Sequence, residues 1–306
     1  MASAPIPPEL AGYDTISFLS DYGTADEFVG VVKSVIRQLA PTVAVLDITH
    51  EVPPHDVRAG GLTLARSAQY LAPGVVVAVV DPGVGSDRRG VAIEVGDGIS
   101  VLVGPDNGLL APAVALVGGA TRAFALTNAD YHLPAPGPTF DGRDVFAPVA
   151  AHLCNGVPIE ELGTEVDPNS LTPGLVPLTS VEDDDDGVPV LSGEVLWVDH
   201  FGNVQLNVDP DEIAGWGDRL QLRTSDDVRT ARRVTAFGQL ATGEIGLLVD
   251  ADGLLAIVTD RHPASEELRL ATGDPVALTA ILGDERVGVR TSVTIGRPST
   301  TNPGGV

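Results

Sequence analysis

The run VVVAVV, residues 75–80, constrains this chain more than any other stretch. It is the most apolar run present, with no alternation that would leave a face for water. Such a run reads as a strand buried on both faces, and a strand of that kind needs helices above and below it. The flanking sequence supplies them. TISFLS (15–20) and VAVLDI (43–48) read as strands, while ADEFVGVVKSVIRQLA (25–40) sets Phe28, Val32, Val35, Ile36 and Leu39 on one helical face. DVRAGGLTLARSAQYL (56–71) reads as a helix capped by its leading Asp. GVAIEV (90–95) and SVLVG (100–104) look like further strands, NGLLAPAVALV (107–117) and DVFAPVAAHL (144–153) like helices. The expected fold class is α/β, an N-terminal mostly parallel sheet flanked by helices.

From about residue 188 the texture changes. GEVLWVD, NVQLNV, RLQLRT, RRVTAF, EIGLLVD and LLAIVT are short strand-like runs punctuated by Gly, Asp and Asn. That is the pattern of a smaller, all-β barrel domain. The expected division is an N-terminal α/β domain over 1–175, an acidic linker over 176–189 and the C-terminal barrel over 190–306. The run Asp183 to Asp186 reads as a solvated, mobile charge run rather than a cation site, and the tail GRPSTTNPGGV as frayed.

Composition removes several function classes. Forty-two acidic residues against 18 basic ones give a formal charge of −24, which repels nucleic acid and anionic lipid, so neither is an expected partner. The one cysteine, Cys154, excludes an internal disulfide framework and a thiolate zinc site; it reads as a buried thiol near a helix end. The six histidines show no metal-site spacing, and no metal is expected. MASAPIPPEL has no secretory character and no stretch of about 18 apolar residues occurs, so the expected location is cytoplasmic.

The chemistry-bearing strings sit where strands end. DPGVGSDRR (81–89) follows the buried run, but a strand rather than a helix comes next. It also lacks the Gly-Lys-Ser/Thr ending, so neither dinucleotide nor P-loop phosphate binding is expected. On local evidence it is a Pro-Gly turn, yet charges of both signs stand at the carboxyl end of a central strand, where α/β sheets bind ligands. SDYGTADEF (20–28) repeats that logic; Asp21 either caps a turn or takes the hydroxyls of a ribose. THEVPPHD (49–56) is a third strand-end loop, carrying His50 and His55. In DHFGNVQLN (199–207), Phe201 and Asn203 suit either a bulged hairpin or stacking on and bonding to a base, with Trp197 read as core.

SDYGTAD, DITHEVPPHDV, VVDPGVGSDRR, GPDNGLL, PTFDGRDVFAPVAAHL, DHFGNVQLN and GEIGLLVDADGLLAI, in this order, resemble the S-adenosylmethionine hydroxide adenosyltransferase family, relatives of the fluorinating and chlorinating enzymes. The likeness spans roughly residues 14–282. It implies a homotrimer with active sites between the N-terminal domain of one subunit and the C-terminal domain of the next. It also implies substitution at C5′ of S-adenosylmethionine by water or hydroxide, giving adenosine and methionine without a cofactor. By the same likeness Asp81 and Arg88 match two members of a hydrolytic Asp-Arg-His set, and Asp141 stands where the third, His, is expected. His132, nine residues earlier, is a candidate to reach the site from outside the motif. Gly142 stands where the fluorinating relative has a halide-binding Ser. Asp21 matches the ribose carboxylate, Asn203, Phe201 and Phe237 the adenine contacts, and Asp199 and Asp26 contacts near the methionine end. The pair Ala251-Asp252 replaces a Ser-Arg that holds the methionine carboxylate. Two alternatives stand beside hydrolysis: a chlorinase of the same fold, and a protein that holds adenosine or S-adenosylmethionine without turnover.

Overall fold

The computed structural model describes residues 12–281, and the tail GRPSTTNPGGV lies outside them. The chain divides into two compact units between Val176 and Pro177. The first unit runs β1 (Thr15–Ser20), α1 (Phe28–Leu39), β2 (Ala44–Thr49), α2 (Val57–Ala68), β3 (Val75–Val79), β4 (Gly90–Val95), β5 (Ser100–Pro105), α3 (Ala111–Leu116), β6 (Ala120–Ala125), α4 (Ala147–Cys154) and β7 (Thr164–Val166). Its strands make one sheet in the order β2-β1-β3-β5-β4-β6-β7.

β3 is central and wholly buried. Val75, Val77 and Val79 point into a core shared with Val32 and Ile36 of α1 and with Val149, Ala150 and Leu153 of α4. Val76, Ala78 and Val80 point the other way, onto Leu64 of α2 and Ala113 and Val114 of α3. The two alternate faces of one apolar run thus meet two helical layers. Helix α2 begins where the sequence places it, with the Asp56 carboxylate accepting from the Ala59 amide at 2.9 Å. Cys154 is a free, buried thiol whose pKa burial pushes up to about 12.

Strands β2, β1, β3 and β5 run parallel; β4, β6 and β7 join antiparallel. The cause is local. Gly96, Asp97 and Gly98 all take positive φ, and this tight turn folds β4 directly back on β5. The helix expected over 107–117 is shorter, starting at Ala111, because Asn107 is tied to the Val80 carbonyl and the Leu109 amide.

The second unit contains β8 (Ser180–Asp183), β9 (Pro189–Val198), β10 (Val204–Leu206), β11 (Arg219–Arg223), β12 (Val228–Arg233), β13 (Ile245–Val249), β14 (Leu255–Val258), α5 (Ala264–Leu268) and β15 (Pro275–Ala280). Pairing runs β10-β14-β13-β12-β11-β15-β9, and β9 pairs again with β10, so the wall closes into a barrel around Leu191, Leu206, Leu220 and Ile257. Three readings change here. The 176–189 stretch is not all linker: β8 pairs with β9, and Asp184 holds their turn by accepting from the amides of Asp186 and Val188, each at 2.9 Å. The acidic run is solvated but shaped by that turn. RRVTAF is not a strand as drawn; the strand lies earlier, at β12, and Phe237 opens a 3₁₀ turn. Trp197 is not core but 39% exposed, because the register of β9 shifts opposite Gln205 and Leu206.

Replacing Asp56 with Ala is expected to lower stability by about 1 kcal/mol, seen as a lower urea midpoint, while Asp56→Ser keeps most of it.

Candidate active site

Three loops leave the carboxyl ends of β1, β2 and β3, and the segment before α4 closes over them. Together they enclose a hollow of about 680 Å³, lined by Asp21, Tyr22, Phe28, His55, Asp81, Phe140, Asp141 and Gly142 among others. That is ample for a small-molecule ligand.

Asp81 lies just beyond β3, its side chain only 5% exposed. Arg88 Nε donates to Asp81 Oδ1 at 3.1 Å, and Arg88 Nη2 donates to Asp81 Oδ2 and, at 2.7 Å, to Asp141 Oδ2. One guanidinium therefore joins carboxylates 53 and seven residues away in the chain. Its other side rests on the Phe146 ring, 5.6 Å from guanidinium carbon to centroid. The turn between Asp81 and Arg88 is set by Gly85, which takes φ +78° with its Cα facing the Pro138 carbonyl; a Cβ there would lie 2.9 Å from that oxygen. Burial pushes the Asp81 carboxyl above its ordinary 3.8, the Arg88 charge and hydrogen bonds pull it down, and the Asp141 charge adds to the rise. Arg88 is not itself among the lining residues. Its side chain, 9% exposed, bridges the two carboxylates and holds them together.

Asp141 precedes a π-helical turn, Gly142–Phe146, that runs into α4. Its neighbour Arg143 pairs with Asp144 (2.6 Å) and lies over the Phe140 ring. His132 does not line the hollow; its Nε2 is buried without a partner among the described residues, burial lowers its pKa, and the Asp141 charge opposes that shift.

Asp21 Oδ2 accepts from the His55 amide at 2.9 Å, with His55 itself at φ 68°. Behind it, Ser20 Oγ meets His50 Nδ1 at 2.8 Å, His50 Nε2 meets Asp47 at 3.1 Å, and Lys33 meets Asp47 at 2.6 Å. Ser20 is fully buried, so this chain ties β1 to β2 and offers no nucleophile to the hollow. Asp26 is exposed and not a lining residue. Arg89 is structural, paired with Asp106 and the Ser170 carbonyl.

The remaining expected contacts belong to the second unit. Asp199 Oδ1 accepts from the amides of Phe201 and Asn203, both at 2.8 Å, and Oδ2 from the Asn203 side chain at 2.7 Å. Gly202, at φ +80°, completes this bulged turn. Asp199 and Asn203 thus hold each other, and the loop they brace presents Phe201, 76% exposed; Phe237 is 45% exposed. Asp252 and Asp250 both accept from the Gln205 amide, at 2.9 and 2.7 Å. Among the described residues no group of three or more His, Cys, Asp or Glu is gathered to hold a metal, and no helix is long and apolar enough to cross a membrane. Sequence reasoning missed Tyr22, Phe28 and Phe140, which meet edge to face at 5.2–5.7 Å between centroids. Their signal was present: two of the three sit inside the quoted SDYGTADEF.

Residues 16–163 match the SAM hydroxide adenosyltransferase N-terminal domain, and residues 193–277 match the C-terminal domain. The chain belongs to this family. A Salinispora tropica protein named (R)-S-adenosyl-L-methionine hydrolase is 44% identical over 265 residues, 87% of this chain and 97% of that one. A fluorinase of Actinoplanes sp. is 27% identical over 297 residues, 88% of this chain and 98% of its own. The crystal structure of a conserved protein from Thermotoga maritima superposes with a TM-score of 0.78 at 33% identity, covering 86% of this chain and 99% of that one.

Replacing Arg88 with Met strands the buried Asp81 carboxylate and is expected to cost about 3–5 kcal/mol at neutral pH. A protonated Asp81 needs no counter-ion. The loss, measured by thermal melting, therefore shrinks as pH falls through the raised Asp81 pKa.

Proposed function

We propose that this protein hydrolyses S-adenosylmethionine to adenosine and methionine by in-line substitution at C5′, with water as nucleophile. The observation that carries the reading is the pair of carboxylates lining the hollow, the buried Asp81 and the partly exposed Asp141, joined by the Arg88 guanidinium. The 44% identity to a named S-adenosylmethionine hydrolase, against 27% to a fluorinase, supports it.

The sulfonium is already a good leaving group and departs as a neutral thioether, so the step asks for no general acid, metal or other cofactor. The demand falls on the nucleophile. Water forms the C5′–O bond as the C5′–S bond breaks with its electron pair going to sulfur, and one water proton passes to a carboxylate. Asp81 suits that task, because burial makes it a stronger base than an ordinary aspartate. Asp141 shares the guanidinium and orients the water in place of the histidine expected at that position. Holding oxygen, C5′ and sulfur in line contributes several kcal/mol, up to ~7–11 in the best cases. Asp21 takes the ribose hydroxyls. Phe201, Phe237 and Asn203 serve the adenine and Asp199 and Asp26 the methionine end, with the barrel of one subunit completing the hollow of the next in a cytoplasmic homotrimer. A chlorinase reading is weaker, because a fixed carboxylate at 81 repels a halide.

Incubation with S-adenosylmethionine, with and without chloride, is expected to give adenosine and methionine alone by chromatography. 5′-Chloro-5′-deoxyadenosine, or tight adenosine binding without methionine release, would overturn the reading. Asp81→Asn is expected to lower kcat by roughly 10²–10⁴-fold. The wild-type kcat/KM should fall on the acid side with an apparent pKa above 3.8, since the base must be ionised to act. Light scattering of the intact protein checks the trimer.

A further inference from the structure

The Arg88 guanidinium is engaged by Asp81 and Asp141, so a further donor placed beside them would help to fix the attacking oxygen. We propose that the Tyr22 hydroxyl is that donor and is a catalytic residue of the hydrolysis; this rests on the hydrolase reading above.

Four observations converge on it. Tyr22 lines the same hollow as Asp81 and Asp141. A Cβ built on Gly142 would fall 2.1 Å from the Tyr22 hydroxyl oxygen and 3.1 Å from Cζ, so the phenol fills the space beside Asp141 that a side chain at 142 would need. Its ring is held edge to face by Phe18, Phe28 and Phe140, at 6.4, 5.7 and 5.6 Å between centroids, which aims the hydroxyl without using it. Finally, no described residue accepts a hydrogen bond from that hydroxyl, although the ring is largely enclosed. A phenol so placed keeps its proton: burial, then the charges of Asp21, Asp81, Asp141 and Asp144, push it well above the ordinary tyrosine range. It is therefore a fixed neutral donor beside the carboxylates of Asp21, Asp81 and Asp141.

The chemistry follows from the valence of water. Water has two protons and two lone pairs. One proton goes to Asp81, and the phenol O–H engages one lone pair. The other lone pair is left directed at C5′, where the C–O bond forms as the C–S pair departs with sulfur. The phenol neither gains nor loses a proton over the cycle. Gly142 belongs to the same device, because any larger residue there displaces the hydroxyl from its place.

The test is Tyr22→Phe, which keeps every ring contact and removes only the hydroxyl. Expected are an unchanged melting temperature, a kcat for adenosine formation lowered by roughly 100-fold, and a KM within about twofold of wild type. A packing role predicts no change in kcat, because Phe satisfies it. A wild-type kcat in Tyr22→Phe, or a loss carried by KM alone, overturns the assignment while leaving the hydrolase reading intact. Failure of the wild-type protein to release methionine overturns that reading, and this assignment with it.

Discussion

A strand with no wet face has to be covered on both sides, and its end is the first place along it where charge can stand. β3 imposes both conditions at once. Its odd residues hold α1 and α4, its even residues hold α2 and α3, and the chain meets solvent only beyond Val80. Asp81 follows immediately, at the edge of the buried core. The loops after β1 and β2 end at the same level because those strands run parallel to β3 in neighbouring register. Convergence of Asp21, His55 and Asp81 on one hollow is therefore a result of sheet geometry, with close packing below fixing the floor on which the polar groups stand.

The charges at that floor are unequal in number. Arg88 is one cation between two carboxylates, and Asp21 adds a third acid nearby. A hollow left with net negative charge in low-dielectric surroundings favours a cationic occupant. On the hydrolase reading the occupant is a sulfonium, whose positive charge disappears as the reaction proceeds. The substrate is then bound more strongly than its neutral products by electrostatics alone. The acidity of the whole chain acts in the same direction at longer range.

Much of this could be read from residue order. Apolar periodicity placed the parallel strands and α1, α2 and α4, and the strand-end strings placed Asp21, Asp81 and Arg88 in one neighbourhood. Asp141 was reached only through family likeness, because nothing in TFDGRD announces that its carboxylate turns toward a guanidinium 53 residues earlier. Other features were hidden for physical reasons. The reversal of β5 against β4 depends on one Gly-Asp-Gly turn, and periodicity carries no information about strand direction. β8 lies in sequence that composition marks as a linker, since an edge strand in contact with water does not need an apolar pattern. The position of Trp197 depends on a one-residue register shift, which turns a side chain over without altering the residues around it. Tyr22 was passed over because an aromatic residue between an Asp and a Gly looks like packing. Its importance comes from what Gly142 lacks, which is a relation across 120 residues.

The hairpin formed by β8 and β9 has a further consequence for the molecule in solution. Among the described residues β8 is the outermost strand of the barrel wall, and such a strand exposes backbone donors and acceptors to any passing chain. Here it carries Glu182 and Asp183 and runs straight into Asp184, Asp185 and Asp186. A second copy approaching that edge would have to lay five carboxylates against five more. The acidic run thus works as a guard against edge-to-edge aggregation: among the described residues it keeps the strand outside the closed barrel from becoming a template for another.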